Sequence, residues 1–304
     1  MVGKIMVTGS SGTIGTRLCE KLIEKNYDVQ GVDKRKNAWN KKINAITTIA
    51  DLTDEKQIKK LSADADIVVH LAANARVYNL VIEPQGALEN ISMLFNMLEF
   101  CRKNKIKKFI FASSREVYGN SQNMVYKEDD AKISASESPY SASKVAGEAL
   151  VNSYKHCYGI DFIITRFSNV YGMYDDSDRV VPLFIRFTRQ GKDLMVFGEH
   201  KELDFTYIDD TVQGIICCIE KFDGAKNEAY NIATGKGVKI IDCAKMIQKR
   251  LNSSSKITVG NNRTGEVVRF VADISKAKKA LSFEPTIGFE EGLARTIEWY
   301  LKNT

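Results

Sequence analysis

The chain has 304 residues, of which 44% are hydrophobic and 27% charged, and its 44 Lys and Arg against 38 Asp and Glu give a formal net charge of +6. That composition excludes disordered, collagen-like and small disulfide-framed architectures, and it leaves room for one large or two modest domains with a sizeable core. The mild basic excess suits a small anionic ligand. Its basic residues stand in short groups such as Lys34-Arg35-Lys36, which read as solvated faces, so no nucleic-acid partner is expected.

Short β-rich runs alternate with helical patterns over the first 170 residues. Strands are predicted at Lys4–Thr8, Tyr27–Val32, Ile46–Ala50, Ile67–Ala72, Lys108–Ser113 and Phe162–Arg166. Helices are predicted at Ile14–Lys25 and near 54–62, 86–103 and 141–158. This order implies a parallel sheet covered on both faces, and the Val, Ile and Phe of the strands agree with burial on both sides. The remainder is less regular. Helices are predicted at Val181–Gln190, Thr211–Glu220, Ile240–Leu251, Asp273–Leu281 and Phe289–Leu301, with a short strand at Leu194–Phe197. The expected fold is α/β: a Rossmann-type, doubly wound parallel sheet with a smaller C-terminal substrate-binding lobe. The dinucleotide-binding domain is placed at 1–172, with 205–235 returning to it. The second lobe is placed at 173–204 and 236–304.

The six cysteines form no C-x-x-C pair, and the three histidines lack metal-ligand spacing, so no metal is expected. No run of about 18 apolar residues exists to span a membrane, and the first residues lack the apolar stretch of a signal peptide. A cytoplasmic protein without a membrane partner is the expectation.

Thr8-Gly9-Ser10-Ser11-Gly12-Thr13-Ile14-Gly15 lies between the first strand and the first helix. Gly9 permits a tight turn, Gly12 lets the backbone approach a pyrophosphate, and Gly15 allows close helix–strand contact. The helix N-terminus then offers free N–H groups and a positive dipole end to the phosphates, so Ser11, Thr13 and Ile14 join the glycines as cofactor-binding candidates. Asp33 ends the second strand, near the expected offset of about 20 residues for an acid that bonds the ribose 2′-hydroxyl of NAD. Lys34 and Arg35 follow at once, and either could hold the extra phosphate of NADP. NAD is favoured, because a carboxylate repels that phosphate.

Tyr140 and Lys144 stand four residues apart at a helix start, on one helical face. A cationic Lys beside a phenol lowers the phenol's pKa and lets it act as a general base near neutral pH. Ser114, at the end of the fifth strand, can bond both the phenol and a substrate hydroxyl.

With these pieces the sequence resembles an extended short-chain dehydrogenase/reductase of the NAD-dependent sugar epimerase/dehydratase family, and the UDP-hexose 4-epimerases in particular. The likeness rests on TGSSGTIG at 8–15, Asp51-Leu52, HLAA at 70–73, SSREVYG at 113–119, PYSASK at 139–144, RFSNVYG at 166–172, DFTYIDD at 204–210, YNIATG at 230–235 and RTGE at 263–266. The resemblance implies that Asp51 and Leu52 contact the adenine and that Leu71, Ala72 and Ala73 line the adenosine and pyrophosphate. It implies that Ser114, Tyr140 and Lys144 are catalytic, with Tyr140 and Lys144 also touching the cofactor. Asn169 would hold the sugar nucleotide near its diphosphate, and Arg263 and Glu266 would reach its nucleotide. A homodimer built on the helices near 86–103 and 141–158 is implied as well. Apolar positions there, such as Leu94, Phe95, Leu98, Ala146, Leu150 and Val151, suit core or interface equally.

Three departures from the family pattern bear on the reaction. Leu203 stands where the family carries an Arg for the substrate diphosphate, so Lys201 and Arg179 are candidates to replace it. Arg115-Glu116 stands where sugar 4,6-dehydratases carry Asp-Glu, and Arg115 cannot be a general acid. Glu116 is read either as a substrate-site group, as in UDP-glucuronate decarboxylases, or as the salt-bridge partner of Arg76 or Arg115. Arg76, shortly after HLAA, is suited to a sugar carboxylate. The expected function is an NAD-dependent nucleotide-sugar 4-epimerase, acting on a UDP-hexose or a UDP-uronic acid through a 4-keto sugar. The alternatives are a UDP-glucuronate decarboxylase and an NADP-dependent nucleotide-sugar reductase.

Overall fold

The structure, a computed structural model, describes residues 3–121 and 123–304. Seven parallel strands form the main sheet: β1 (Lys4–Thr8), β2 (Asp28–Asp33), β3 (Thr47–Ile49), β4 (Ile67–His70), β5 (Lys108–Ser114), β6 (Asp161–Phe167) and the later β10 (Glu228–Ile232). Their spatial order is β10-β6-β5-β4-β1-β2-β3. The order reverses between β1 and β4, which opens a crevice at the carboxyl ends of those strands, where ligands of such sheets bind.

The side-chain period of two divides the core into two layers. Ile5 and Val7 of β1, Ile67 and Val69 of β4, and Ile110 of β5 face one cluster, with Leu18 and Leu22 of α1 (Thr13–Glu24). Met6, Val68, Phe109 and Phe111 face the other, with Met93, Leu94 and Leu98 of α5 (Gln85–Lys103) and Val151 and Tyr154 of α6 (Pro139–Tyr158). Leu94, Leu98 and Val151 are therefore core. Phe95 is 44% exposed on the outer side of α5, near the exposed Leu88.

Several elements between these strands were not predicted. Short helices α2 (Lys41–Ile46) and α4 (Val77–Ile82) flank β3 and follow β4, and the predicted helix near 54–62 is only α3 (Glu55–Ile58). The last third adds a second sheet around β9 (Glu202–Tyr207). It pairs with β7 (Asn169–Tyr171) and β13 (Arg269–Phe270) in parallel and with β11 (Gly237–Lys239) antiparallel. β8 (Leu194–Phe197) and β12 (Ile257–Gly260) form a two-stranded parallel pair. Helices α7 (Val180–Arg189), α8 (Ile208–Glu220), α9 (Phe222–Ala225), α10 (Ile240–Arg250), α11 (Ser275–Leu281) and α12 (Phe289–Asn303) complete the chain. β10 leaves this region to pair with β6 of the main sheet.

The cofactor-side loops are tied to the last helix. Trp39, after β2, meets Trp299 of α12 edge to face at 5.1 Å, and Tyr174 lies 5.4 Å from Trp299. Thr13 Oγ1 donates to the Tyr174 carbonyl at 3.0 Å, and Arg17 of α1 pairs with Asp209 at 2.6 Å. Five cysteines are buried and Cys157 is exposed. Among the described residues no helix is long and apolar enough to cross a membrane, and no cluster of three or more metal-ligating side chains occurs.

Candidate active site

The turn after β1 is shaped by its own backbone. Gly9 sits at φ +73°, where L side chains are strained, and its N–H donates to the Val32 carbonyl at 2.8 Å. A Cβ on Gly9 would stand 2.8 Å from the Ala72 nitrogen, which puts Leu71 and Ala72 directly against the turn. Gly15 is needed for a reason other than the predicted helix–strand contact: a Cβ there would come 2.0 Å from the Gly9 carbonyl oxygen, inside the turn itself. Gly12 caps α1 without a side-chain bond, and the first turn of α1 carries no acid. Free N–H groups and an uncompensated dipole end therefore face the crevice beside Ser11, Thr13 and Ile14.

Asp33 ends β2 and is nine-tenths buried. The Ser11 N–H donates to one carboxylate oxygen at 3.0 Å and the Arg35 N–H to the other at 2.9 Å. The acid is thus locked onto the phosphate turn, with lone pairs left for a ribose. Asp51 accepts from the Thr53 N–H and hydroxyl at 2.9 and 2.7 Å, and these bonds hold its carboxyl below the usual range. Leu52 beside it is buried, and Ala73 follows β4 in the same crevice. A backbone cradle that excludes side chains, an uncapped helix and a held acid together fit an adenine dinucleotide. His70, by contrast, is sealed between Thr8 (2.9 Å) and the Phe109 and Phe111 rings; burial pulls it down to about 3, so it stays neutral.

Across the crevice, Pro139 occupies the first position of α6 and Ser138 caps it, accepting from the Ser141 N–H at 3.2 Å. This cap fixes the helix start and so aims Tyr140 and Lys144 at the end of β5, where Ser114 is the last residue. Lys144 Nζ donates to the Ala112 carbonyl at 2.8 Å and stands 5.6 Å from the centre of the Tyr140 ring. Burial pulls its pKa down to about 8, with Glu148 opposing.

The phenol differs from expectation. Burial pushes the Tyr140 hydroxyl above its ordinary pKa, and a hydrogen bond from Ser114 and the charges of Arg179 and Arg115 pull the other way. Lys144 is not among the leading influences, because its ammonium is turned to the Ala112 carbonyl. Desolvation outweighs the opposite-charge effect here.

Behind this set lies a polar network that sequence reading missed. Arg166 grips Glu148 in a two-pronged pair at 2.9 and 2.7 Å, and its other nitrogen donates to the Tyr118 hydroxyl and the Glu128 carbonyl. Ser113 donates to Glu148 at 2.6 Å, and Tyr118 to Asn231. The network ties β5, α6, β6 and β10 beneath the catalytic candidates. Asp204 is fully buried and accepts from the N–H groups of Thr234 and Gly235 and from the Thr234 hydroxyl. The first acid of DFTYIDD is therefore a staple holding the YNIATG loop.

The substrate-side candidates are spread along the seam between the two sheets. Arg115 and Glu116, in a short 3-10 turn after β5, are buried and paired at 2.8 Å. Burial pushes the Glu116 carboxyl up, against the pull of Arg115 and Lys201. Lys201 is buried against Glu266, and Glu266 stands 4.0 Å from Arg263, whose guanidinium lies 3.9 Å from the Phe197 ring centre. Asn169 donates to the Asp204 carbonyl at 3.3 Å. Leu203 is a core residue of β9, paired with Val238 and Phe270. Arg179 donates to the Ala75 carbonyl at 3.3 Å and meets Asp175 at 3.5 Å. Arg76 meets Asp178 at 3.4 Å, not Glu116, and its Nη1 is buried without a partner.

A phosphate cradle and a Ser–Tyr–Lys set facing each other across the switch point of a parallel sheet belong to the short-chain dehydrogenase/reductase class. Residues 5–233 match the model of the NAD dependent epimerase/dehydratase family. The chain is 33% identical to a putative UDP-glucose 4-epimerase of Methanocaldococcus jannaschii, over 98% of this chain and 99% of that one. It is 30% identical to dTDP-glucose 4,6-dehydratase 1 of Escherichia coli, over 99% and 93%. Among solved structures, the UDP-glucuronic acid 4-epimerase of Bacillus cereus in complex with UDP-glucuronic acid and NAD superposes with a TM-score of 0.91, at 30% identity over 99% of this chain and 100% of that one. This chain belongs to the NAD-dependent epimerase/dehydratase family, and its cofactor is NAD.

Proposed function

We propose that the protein is a nucleotide-sugar 4-epimerase acting on a UDP-linked sugar. The observation that carries this reading is Tyr140, nine-tenths buried with the Lys144 ammonium 5.6 Å from its ring centre, held at the cofactor crevice by a capped helix. Gly9, Ser11, Gly12, Thr13, Ile14, Gly15, Asp33, Asp51, Leu52, Leu71, Ala72 and Ala73 would hold NAD, with Tyr140 and Lys144 at its reactive end. Bound NAD supplies the redox chemistry, as acceptor and donor of the hydride at the sugar C4.

The chain's own part is proton handling and positioning. Tyr140 takes the proton of the C4 hydroxyl and returns it. Burial opposes the phenolate, so the Ser114 hydroxyl and the neighbouring cations Arg179 and Arg115 are what make that state reachable. Ser114 bonds the phenol and steadies the hydroxyl. Epimerisation further requires the 4-keto sugar to present its other face within the pocket. Asn169, Arg179, Lys201, Arg263 and Glu266 would hold the nucleotide and diphosphate.

Elimination of water, as in a 4,6-dehydratase, lacks an acid at position 115, where a paired guanidinium stands. The unpartnered Nη1 of Arg76 is the one observation favouring a uronic acid. The outer faces of α5 and α6, with Leu88, Phe95 and Tyr158 exposed, are proposed to pair with a second copy, so light scattering should read twice the chain mass.

The test is NMR analysis of products from UDP-glucose, UDP-N-acetylglucosamine and UDP-glucuronate, each with NAD. A C4 epimer is expected. UDP-xylose or a 4-keto pentose would establish a decarboxylase instead, and NADPH consumption without epimer would establish a reductase.

A further inference from the structure

We propose that Glu148 is a positioning residue of the reaction: gripped by Arg166 and Ser113, it sets the height of Lys144 against β5 and supplies the negative charge that the Lys144 ammonium faces. The inference rests on the reading above, in which Lys144 stands at the reactive end of NAD.

The geometry is a seat for α6. Lys144, Gly147 and Glu148 are three and four residues apart, so they share one helical face. Lys144 Nζ donates to the Ala112 carbonyl at 2.8 Å. One residue further along β5, the Ser113 hydroxyl donates to Glu148 Oε1 at 2.6 Å. Between these two bonds α6 presses onto the Phe111 ring: a Cβ on Gly147 would stand 2.5 Å from its Cζ. Arg166 of β6 completes the seat, with Nε bonded to Oε1 at 2.9 Å and Nη2 to Oε2 at 2.7 Å. Both Glu148 oxygens are thereby bound within the protein, so this residue acts through Lys144.

The charge matters because the ammonium is buried and poorly provided for. It has three donors, and one goes to Ala112. The Phe111 and Tyr140 rings lie 5.2 and 5.6 Å away. His70 of β4 is kept neutral by burial, and Glu89 of α5 is bonded to Asn74. Arg115 and Glu116, in the turn after β5, are paired with each other. Glu148, one turn along the same helix, is the acid that opposes burial at Lys144. Stability gives a weaker reason for the Glu148–Arg166 pair, since a buried ion pair repays its own desolvation poorly.

The experiment follows the Lys144 side chain by NMR in protein carrying 13C,15N-lysine, over a pH series from about 6 to about 11. Its resonance is the one lost in Lys144→Met. In the wild type it should titrate near 8. Glu148→Gln keeps the shape and removes the charge, and should lower that midpoint by about one pH unit. Glu148→Asp keeps the charge and should restore most of it. A purely structural role predicts the reverse order, with the isosteric Gln nearer to wild type than the shortened Asp. On whichever of UDP-glucose, UDP-N-acetylglucosamine and UDP-glucuronate is epimerised, Glu148→Gln should cost about fivefold in kcat at about pH 8 and little at about pH 6, with KM for the sugar within about twofold. A midpoint or a kcat at about pH 8 left unmoved by Glu148→Gln overturns the proposal. So does a Lys144 that titrates below about 7 with Glu148 in place, a result that needs no Glu148 variant to fold. If Lys144 responds as described and no sugar is converted, it is the nucleotide-sugar reading that fails, and the hold of Glu148 on Lys144 stands.

Discussion

The cofactor side and the substrate side of the seam are made of different materials. Around the turn after β1, shape comes from backbone: positive φ at Gly9, a Gly15 with no space for a Cβ, and an uncapped helix end. Around the end of β5 it comes from buried charged side chains, the Arg115–Glu116 pair in the turn after β5 and the Lys201–Glu266 pair in the loops that lead into the second sheet. A backbone cradle accepts one ligand and tolerates almost no change. A set of buried charges can be exchanged residue by residue, which is how one fold serves several sugars and reactions. Tyr140 and Lys144 stand between the two regions and answer to both.

The largest effect should come from that boundary. Tyr140→Phe should cost about a thousandfold in kcat, a typical loss for a general base, while NAD still binds. Stopped-assay kinetics with calorimetric titration of NAD would check it, and near-normal turnover would remove the phenol from the mechanism. On the backbone side, Gly15→Ala should destabilise the fold by about 2 kcal/mol and weaken NAD strongly, because overpacking against a carbonyl cannot be relieved by a rotamer change. Denaturant melts with and without NAD would show it; an Ala variant with unchanged affinity would mean that the cradle is not the cofactor's seat.

The smallest effect has a sign set by pH. The folded state depresses the Lys144 pKa from 10.5 to about 8, so below 8 the folded chain carries the full cost of burying a charge. Between about 8 and 10.5 the unfolded chain binds more protons, and stability rises with pH. Lys144→Met removes that cost. It should raise stability by about 1 kcal/mol at pH 7, a common gain at functional sites, and the advantage should shrink as pH climbs through that window. A pH series of denaturant melts on both proteins measures the difference.

The two regions also differ in how legible they are in sequence. Strands β1, β2, β4, β5 and β6 and helices α1, α5 and α6 are long or regular enough to register, the three-residue β3 shows only through the β-rich run Ile46–Ala50 around it, and the glycine spacing announces the cradle. β7, β11 and β13 span two or three residues, too few for a period, and they exist because β9 offers them edges. Lys201 and Glu266 read from the sequence as separate substrate-side groups, and neither their pairing nor the Arg166–Glu148 grip is visible until the chain folds over them. Of the two partners considered for Glu116, the structure selects Arg115. The phenol's environment was misjudged because burial is invisible in a spacing of four residues.

The contact between Trp39 and Trp299 has an optical consequence. These are the only two tryptophans of the chain, and they meet at 5.1 Å where the loop beyond Asp33 touches α12. Excited at the red edge of protein absorption, the molecule emits from this one spot. Any movement of the ribose-side loop against the last helix alters the quenching of one indole by its neighbour and by Tyr174, so the unlabelled protein carries its own reporter of that joint.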